Sequence, residues 1–224
     1  MTVSSPARPA GIATLSGRDT RWRTRDIVIV AIIGVAFGVV FWAWNLAWTP
    51  LAAVFAFAPW AQDLLYAVWL VPAVLAPLIV RKPGAALFAE MVAAGVEAYM
   101  GGQWGADTLL SGFVQGAAAE LIFAFTLYRS WSYPVIAVAA LASAAAAWIH
   151  DWAIYYADVA VQVQLVRGLM MGISAVVIVA GGSVLLVRSL RAAGVLEGFP
   201  AGTADPGDDP GAAAAAGTTG AGLA

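Results

Sequence analysis

Cysteine is absent from the 224 residues. That excludes a disulfide framework, thiol catalysis and a thiolate metal site. Histidine occurs once, at His150, so an imidazole metal site has little to draw on and none is expected. Charge is scarce. Asp, Glu, Lys and Arg make up 11% of the chain, against about 25% in soluble domains. A net charge of -2 leaves no electrostatic footprint for nucleic acid. There is no Walker motif, no dinucleotide fingerprint, no HExxH and no defensible Ser-His-Asp set. No catalytic residue, enzyme activity or cofactor is therefore expected. What remains is apolar: 62% hydrophobic residues and a mean hydropathy of +0.85. By composition this is an integral membrane protein, and its length suits one domain.

The first 25 residues are polar and carry Arg18, Arg21, Arg23 and Arg25. They read as a cytoplasmic tail rather than a cleavable signal, because the apolar run behind them is longer than a signal core. From Ile27 no charge appears until Asp63, whereas one span needs about 20 residues. The run is either one helix with an apolar outer loop or two tight helices. The cations decide. With single spans over 27–46, 63–80, 84–100, 108–128, 132–152 and 163–187, the basic groups at 18–25, Arg81-Lys82, Arg129 and Arg188-Arg191 fall on one side. The positive-inside rule then gives an all-α protein with six transmembrane helices and both termini cytoplasmic. Only Arg167 lies outside this scheme. The transmembrane domain is expected over residues 26–192. The Gly, Ala, Pro and Asp-rich stretch 193–224 is expected to be a disordered tail.

Asn45 to Gln62 becomes an external loop, yet it is apolar and aromatic, with Pro50 and Pro59. Burying such a loop is favourable at roughly 25 cal/mol per Å², so it is expected to fold over the outer mouth as a lid. Helix one carries Gly34-x-x-x-Gly38 with Ala31 nearby. Small residues four apart let another helix approach closely, either within the bundle or from a partner.

The stretch Arg81 to Glu120 holds the costly residues. Glu90, Glu97 and Glu120 lie within apolar helices, and a carboxylate at membrane depth normally faces a bundle interior, a cavity or a ligand. Glu97 and Gln115 fall in the outer half, Glu90 near the middle and Glu120 nearer the cytoplasm. His150 and Asp151 end helix five at the outer side. Trp60, Tyr66, Trp104, Trp148, Trp152 and Tyr155 supply aromatics at that depth, some as walls and some as interfacial belt. Carboxylate in excess of cation, with Trp faces, favours a flat organic cation. Glu90 and Glu120 can equally serve an internal hydrogen-bond network. Arg167 reads as a partner of Asp151, Asp158 or Glu97.

Taken together, RKPGAALFAE, the second glutamate, GGQWG and then GFVQGAAAE resemble the S components of energy-coupling-factor vitamin transporters. The likeness is to the YkoE-like branch for thiamine or its hydroxymethylpyrimidine precursor, and it covers about residues 26–192. It implies a six-helix substrate-binding subunit of the bacterial plasma membrane, with its pocket open to the outside and its first external loop as lid. It further implies a transmembrane coupling subunit and two cytoplasmic ATPase subunits as partners. The family's small-residue docking face maps onto Ala31, Gly34 and Gly38. The candidate ligand-binding residues are Glu97, Gln115, Trp104, His150, Asp151, Trp148, Tyr66, Trp60, Glu90 and Glu120. The rival readings are an S component for another flat heterocycle, and a proton-coupled carrier with the three glutamates as relay.

Overall fold

The computed structural model describes residues 20–203, and the expectations for the two outer tails, 1–19 and 204–224, lie outside them. Among the described residues the regular elements are all helical. Five runs are long and apolar enough to cross a membrane: Thr24–Val54, Pro59–Val80, Asp107–Phe125, Tyr133–Ile154 and Val161–Ala192. The remaining helix, α3 (Ala85–Tyr99), has 15 residues. At 1.5 Å per residue it is about 22 Å long, short of a hydrocarbon layer of about 30 Å.

Helix α1 (Thr24–Val54) runs for 31 residues. Its buried side follows a three-to-four spacing through Val30, Ile33, Gly34, Gly38, Phe41, Asn45 and Trp48, the stripe that a helix turns toward its neighbours. Ile32, Val35, Val39 and Val40 face outward, as lipid permits. The helix includes Pro50 and continues to Val54. The expected lid loop is thereby corrected. Asn45 to Val54 is helix, only residues 55–58 form a turn, and a 3-10 helix begins at Pro59. At about 46 Å, α1 outlasts the hydrocarbon layer, so its end projects as a helix where a one-span length would have stopped it.

The second span starts as that 3-10 helix, Pro59–Leu70, and continues as α2 (Val71–Val80). Every residue of α2 from Pro72 to Val80 is buried. A helix that is apolar all round belongs at a bundle centre. Helices α4 (Asp107–Phe125) and α5 (Tyr133–Ile154) follow. The last span joins α6 (Val161–Ser174), a π-helical stretch (Ala175–Gly181) and α7 (Gly182–Ala192). The Tyr133 hydroxyl donates to the Val176 carbonyl at 3.2 Å inside the π stretch.

Two glycine rows grip α3 from opposite sides. A Cβ on Gly34 or Gly38 would stand 2.7 or 2.5 Å from the Cβ of Val92 or Val96. On α4, a Cβ on Gly112 or Gly116 would stand 2.6 or 2.9 Å from the Cβ of Ala94 or Glu90. The docking face expected at Gly34 and Gly38 is therefore corrected: these positions are filled by α3, and Ala31 is half-buried beside them. Small residues specify close approach, not which helix approaches.

One end of the bundle gathers both ends of the described segment. The Trp22 indole donates to the Pro83 carbonyl at 2.9 Å, and its ring lies 6.0 Å from that of Phe88. The Arg25 guanidinium lies 5.6 Å from the Phe199 ring centroid. Leu196 and Ala201 are buried in a cluster with Val30, Ile79, Val80 and Ala85. The disordered tail expected from residue 193 is thus corrected as far as 203. That part forms turns anchored by apolar side chains that a composition rich in Gly and Pro conceals.

Candidate functional site: a carboxylate-lined cavity

At the opposite end the helices part around a cavity of about 590 Å³, counting the space open to solvent. Its aromatic lining is Phe41, Trp48, Tyr66, Trp69, Trp104, Tyr155 and Tyr156. Trp48, Tyr66 and Trp69 pack edge-on or tilted, with ring centroids 4.9 to 6.4 Å apart. Four carboxylates line it: Glu90, Glu97, Asp107 and Asp151. The only cation in the lining is Arg167.

Each charge has a defined setting. Glu97, on the last turns of α3, accepts from the Asn45 amide across the bundle, and Trp69 lines the cavity with it. Glu90, two turns deeper, accepts the Ala73 backbone N–H at 3.0 Å. That N–H belongs to the first turn of α2, which has no intrahelical acceptor for it. Glu90 therefore caps the break between the 3-10 helix and α2 while lining the cavity. Across the space, His150 sits between two carboxylates, with Nδ1 3.1 Å from Asp151 Oδ1 and Nε2 3.3 Å from Asp107 Oδ1. The Tyr155 hydroxyl donates to Asp107. Burial, reinforced by that bond, pushes the Tyr155 phenol above its ordinary value, so it remains a donor. Arg167 is held by Asp63 through two hydrogen bonds of 2.7 and 3.1 Å, and its guanidinium carbon lies 3.6 Å from the Tyr156 ring centroid. With Arg167 engaged by Asp63, the carboxyl groups of the wall are left for a ligand.

Between the carboxylate groups lies a neutral polar strip on α4. The Gln115 amide donates to Ser111 Oγ at 2.6 Å and to the Tyr66 hydroxyl at 3.3 Å. The Thr108 hydroxyl is 6% exposed and has no hydrogen-bond partner among the described residues.

The family described as the permease component of ABC-type cobalt transport systems matches residues 25–146. The chain belongs to that family. A Bacillus subtilis (strain 168) permease-family protein, YkoE, named for HMP/thiamine, is 36% identical over 130 residues. The match covers 58% of this chain and 64% of YkoE, so the chain spans a little under two thirds of that relative's length. A crystal structure of an ECF transporter S-component superposes with a TM-score of 0.76 at 30% identity, over 91% of this chain and all of that one. This permease-family chain thus has the S-component fold and is a multi-pass protein of the bacterial plasma membrane. It stands with transport subunits rather than enzymes.

The expected site residues divide. Glu97, Gln115, Trp104, Asp151, Tyr66 and Glu90 line the cavity. His150 stands behind it, tying Asp107 to Asp151. Trp148, Trp60 and Glu120 do not line it. Trp148 donates to the Gln164 carbonyl at 2.9 Å and packs on Gly168 and Trp152. Trp60 is 40% exposed. Glu120 lies toward the other end, where it accepts the Gly84 and Ala86 N–H groups at 2.6 and 2.9 Å and the Tyr128 hydroxyl at 2.6 Å. It caps α3, and the left-handed Gly84 (φ 86°) of the KPGAAL motif presents the N–H it takes. The partner of Arg167 is Asp63, not Asp151, Asp158 or Glu97. Sequence reasoning missed Asn45, Asp107, Thr108, Trp48 and Trp69. The available signal was the periodicity of α1, which places Asn45 and Trp48 on the stripe of Phe41.

Proposed function

We propose that this chain is the substrate-binding S component of an energy-coupling-factor importer, and that its ligand is thiamine or hydroxymethylpyrimidine. The observation that carries this is four carboxylates around an aromatic cavity whose single guanidinium is already engaged. A thiazolium or aminopyrimidine ring suits these walls: Trp and Tyr faces attract a flat cation by about 0.5 to 2 kcal/mol each, and Glu97 accepts from an amino group. The Thr108 hydroxyl and the Gln115 strip offer neutral contacts for ring nitrogens or an alcohol. The naming of YkoE for HMP/thiamine agrees with this chemistry. The cationic end, with Arg81, Lys82, Arg129, Arg188 and Arg191, would face the cytoplasm by the positive-inside rule, leaving the cavity to open outward. A coupling subunit and two ATPase subunits would supply the energy, since the chain carries no nucleotide motif.

The family description names cobalt, but no group of three or more His, Asp or Glu among the described residues could hold a metal ion. The test is thermal unfolding of the detergent-purified chain with thiamine, hydroxymethylpyrimidine, riboflavin and Co²⁺. A ligand at 100 times its dissociation constant stabilises by about 2.7 kcal/mol. Stabilisation by thiamine or hydroxymethylpyrimidine supports the reading. Stabilisation by Co²⁺ or riboflavin alone, or by none, rejects it.

A further inference from the structure

Asn45 is a polar residue on the inner stripe of α1, 4% exposed. A buried amide in this setting is costly unless its hydrogen bonds are made. All of those shown for its side chain go to the cavity and its rim. Its Nδ2 donates to Glu97 Oε1. Its Oδ1 accepts the Trp104 indole N–H at 2.7 Å and the Gln103 amide at 3.3 Å. The donor and acceptor ends have different tasks: one aims a carboxylate, the other holds the Gly101–Gly105 turn.

That turn is built to lie close. Gly101 and Gly105 have φ of 82° and 59°, and a Cβ on Gly102 would stand 3.0 Å from Asn45 Nδ2. Thr49, one helical turn beyond Asn45, donates to Gln103 Oε1 at 3.1 Å. Residues four apart share a helix face, so α1 clasps the turn at two points. Trp104 then reaches over the cavity to Tyr155, with ring centroids 5.0 Å apart, and Tyr155 in turn donates to Asp107. The indole therefore spans from α1 to the α5 side.

We propose that Asn45 is a positioning residue that couples the pose of Glu97 to closure of the Gly101–Gly105 turn, with Trp104 as the movable cover. Swinging Trp104 aside breaks its bond to the same amide that orients Glu97, so access and carboxylate pose change together. This rests on the reading of the cavity as a cation site and adds its gate.

The absence of cysteine makes the test clean. Thr49→Cys with Gln103→Cys, both at exposed positions, can be bridged by a short reducible bis-thiosulfonate linker. Radiolabelled thiamine is the probe. Bridging the free protein should suppress uptake of the label, bridging the loaded protein should trap it, and reduction should restore exchange. Separately, Asn45→Leu should raise the dissociation rate about tenfold, the equivalent of one charge-assisted hydrogen bond, and alter association less. Asn45→Asp keeps the acceptor for Trp104 and loses the donor to Glu97. It should weaken binding while the bridged form still traps label. Label that enters and leaves the bridged protein at wild-type rates, while Glu97→Gln still weakens binding, overturns the gate alone. Wild-type protein that binds no label overturns the cation site and the gate with it.

Discussion

Glu97 and Glu120 are both carboxylates in apolar helices of one bundle, and they do different things. At the cationic end, Glu120 takes two backbone N–H groups and a phenol. Burial and Glu120 together push the Tyr128 phenol above its ordinary value, so it stays a donor. All of this serves one helix start and its neighbouring turn. At the other end, Glu97 takes a side-chain donor, Asn45, and faces open space beside Trp69, Trp104 and Thr108. Glu90 lies between the two cases, capping α2 with one bond and facing the cavity with the rest. Depth and burial alone do not separate a ligand group from a helix cap. What separates them is whether the partners are backbone groups that the fold must satisfy or side chains that could be exchanged for a guest.

This contrast can be broken or sharpened by substitution. The largest effect is expected at the cap. Glu120→Ala orphans three donors and should cost about 3 to 5 kcal/mol of stability, read as a lowered unfolding temperature. Ligand affinity, measured in the protein that remains folded, should hold. If affinity falls and stability does not, the two ends have been assigned the wrong way round. Glu97→Gln should do the reverse, weakening a cationic ligand by about 1.5 to 3 kcal/mol in titration calorimetry with little change in melting. Arg167→Lys should cost about 1 to 2 kcal/mol of stability, because an ammonium cannot keep both bonds to Asp63 and the planar contact with Tyr156. Equal melting of the two proteins would show that the pair contributes nothing. Trp60→Ala, on an exposed ring away from the cavity, should leave affinity within about 0.5 kcal/mol. A larger loss would return the 55–62 segment to the site.

Much of the helical frame was readable in the amino-acid order, because hydrophobic runs and the placement of Arg and Lys are local signals. Glu97, Gln115 and Trp104 could be placed near the mouth by depth alone. Asn45 needs more than depth: a span of one membrane thickness ends beside it, and only the stripe that Phe41, Asn45 and Trp48 share carries the helix on. Asp63 and Arg167 are 104 residues apart, and charge type gives no means of pairing them over that distance. The role of Glu120 is hidden for a related reason: two of its three donors are backbone N–H groups, which carry no residue label. The Gly34 and Gly38 row announced a close neighbour without naming α3.

That last contact has a mechanical consequence. Where glycine lets a helix rest directly on its neighbour, no long side chain intervenes to flex or to slide over. The first and third helices are therefore coupled like two rods bolted at their midpoints. Under the proposed function, any reorientation that moves a ligand across the bilayer must turn this pair as one strut, and the freedom left for opening belongs to the short loops at its rim.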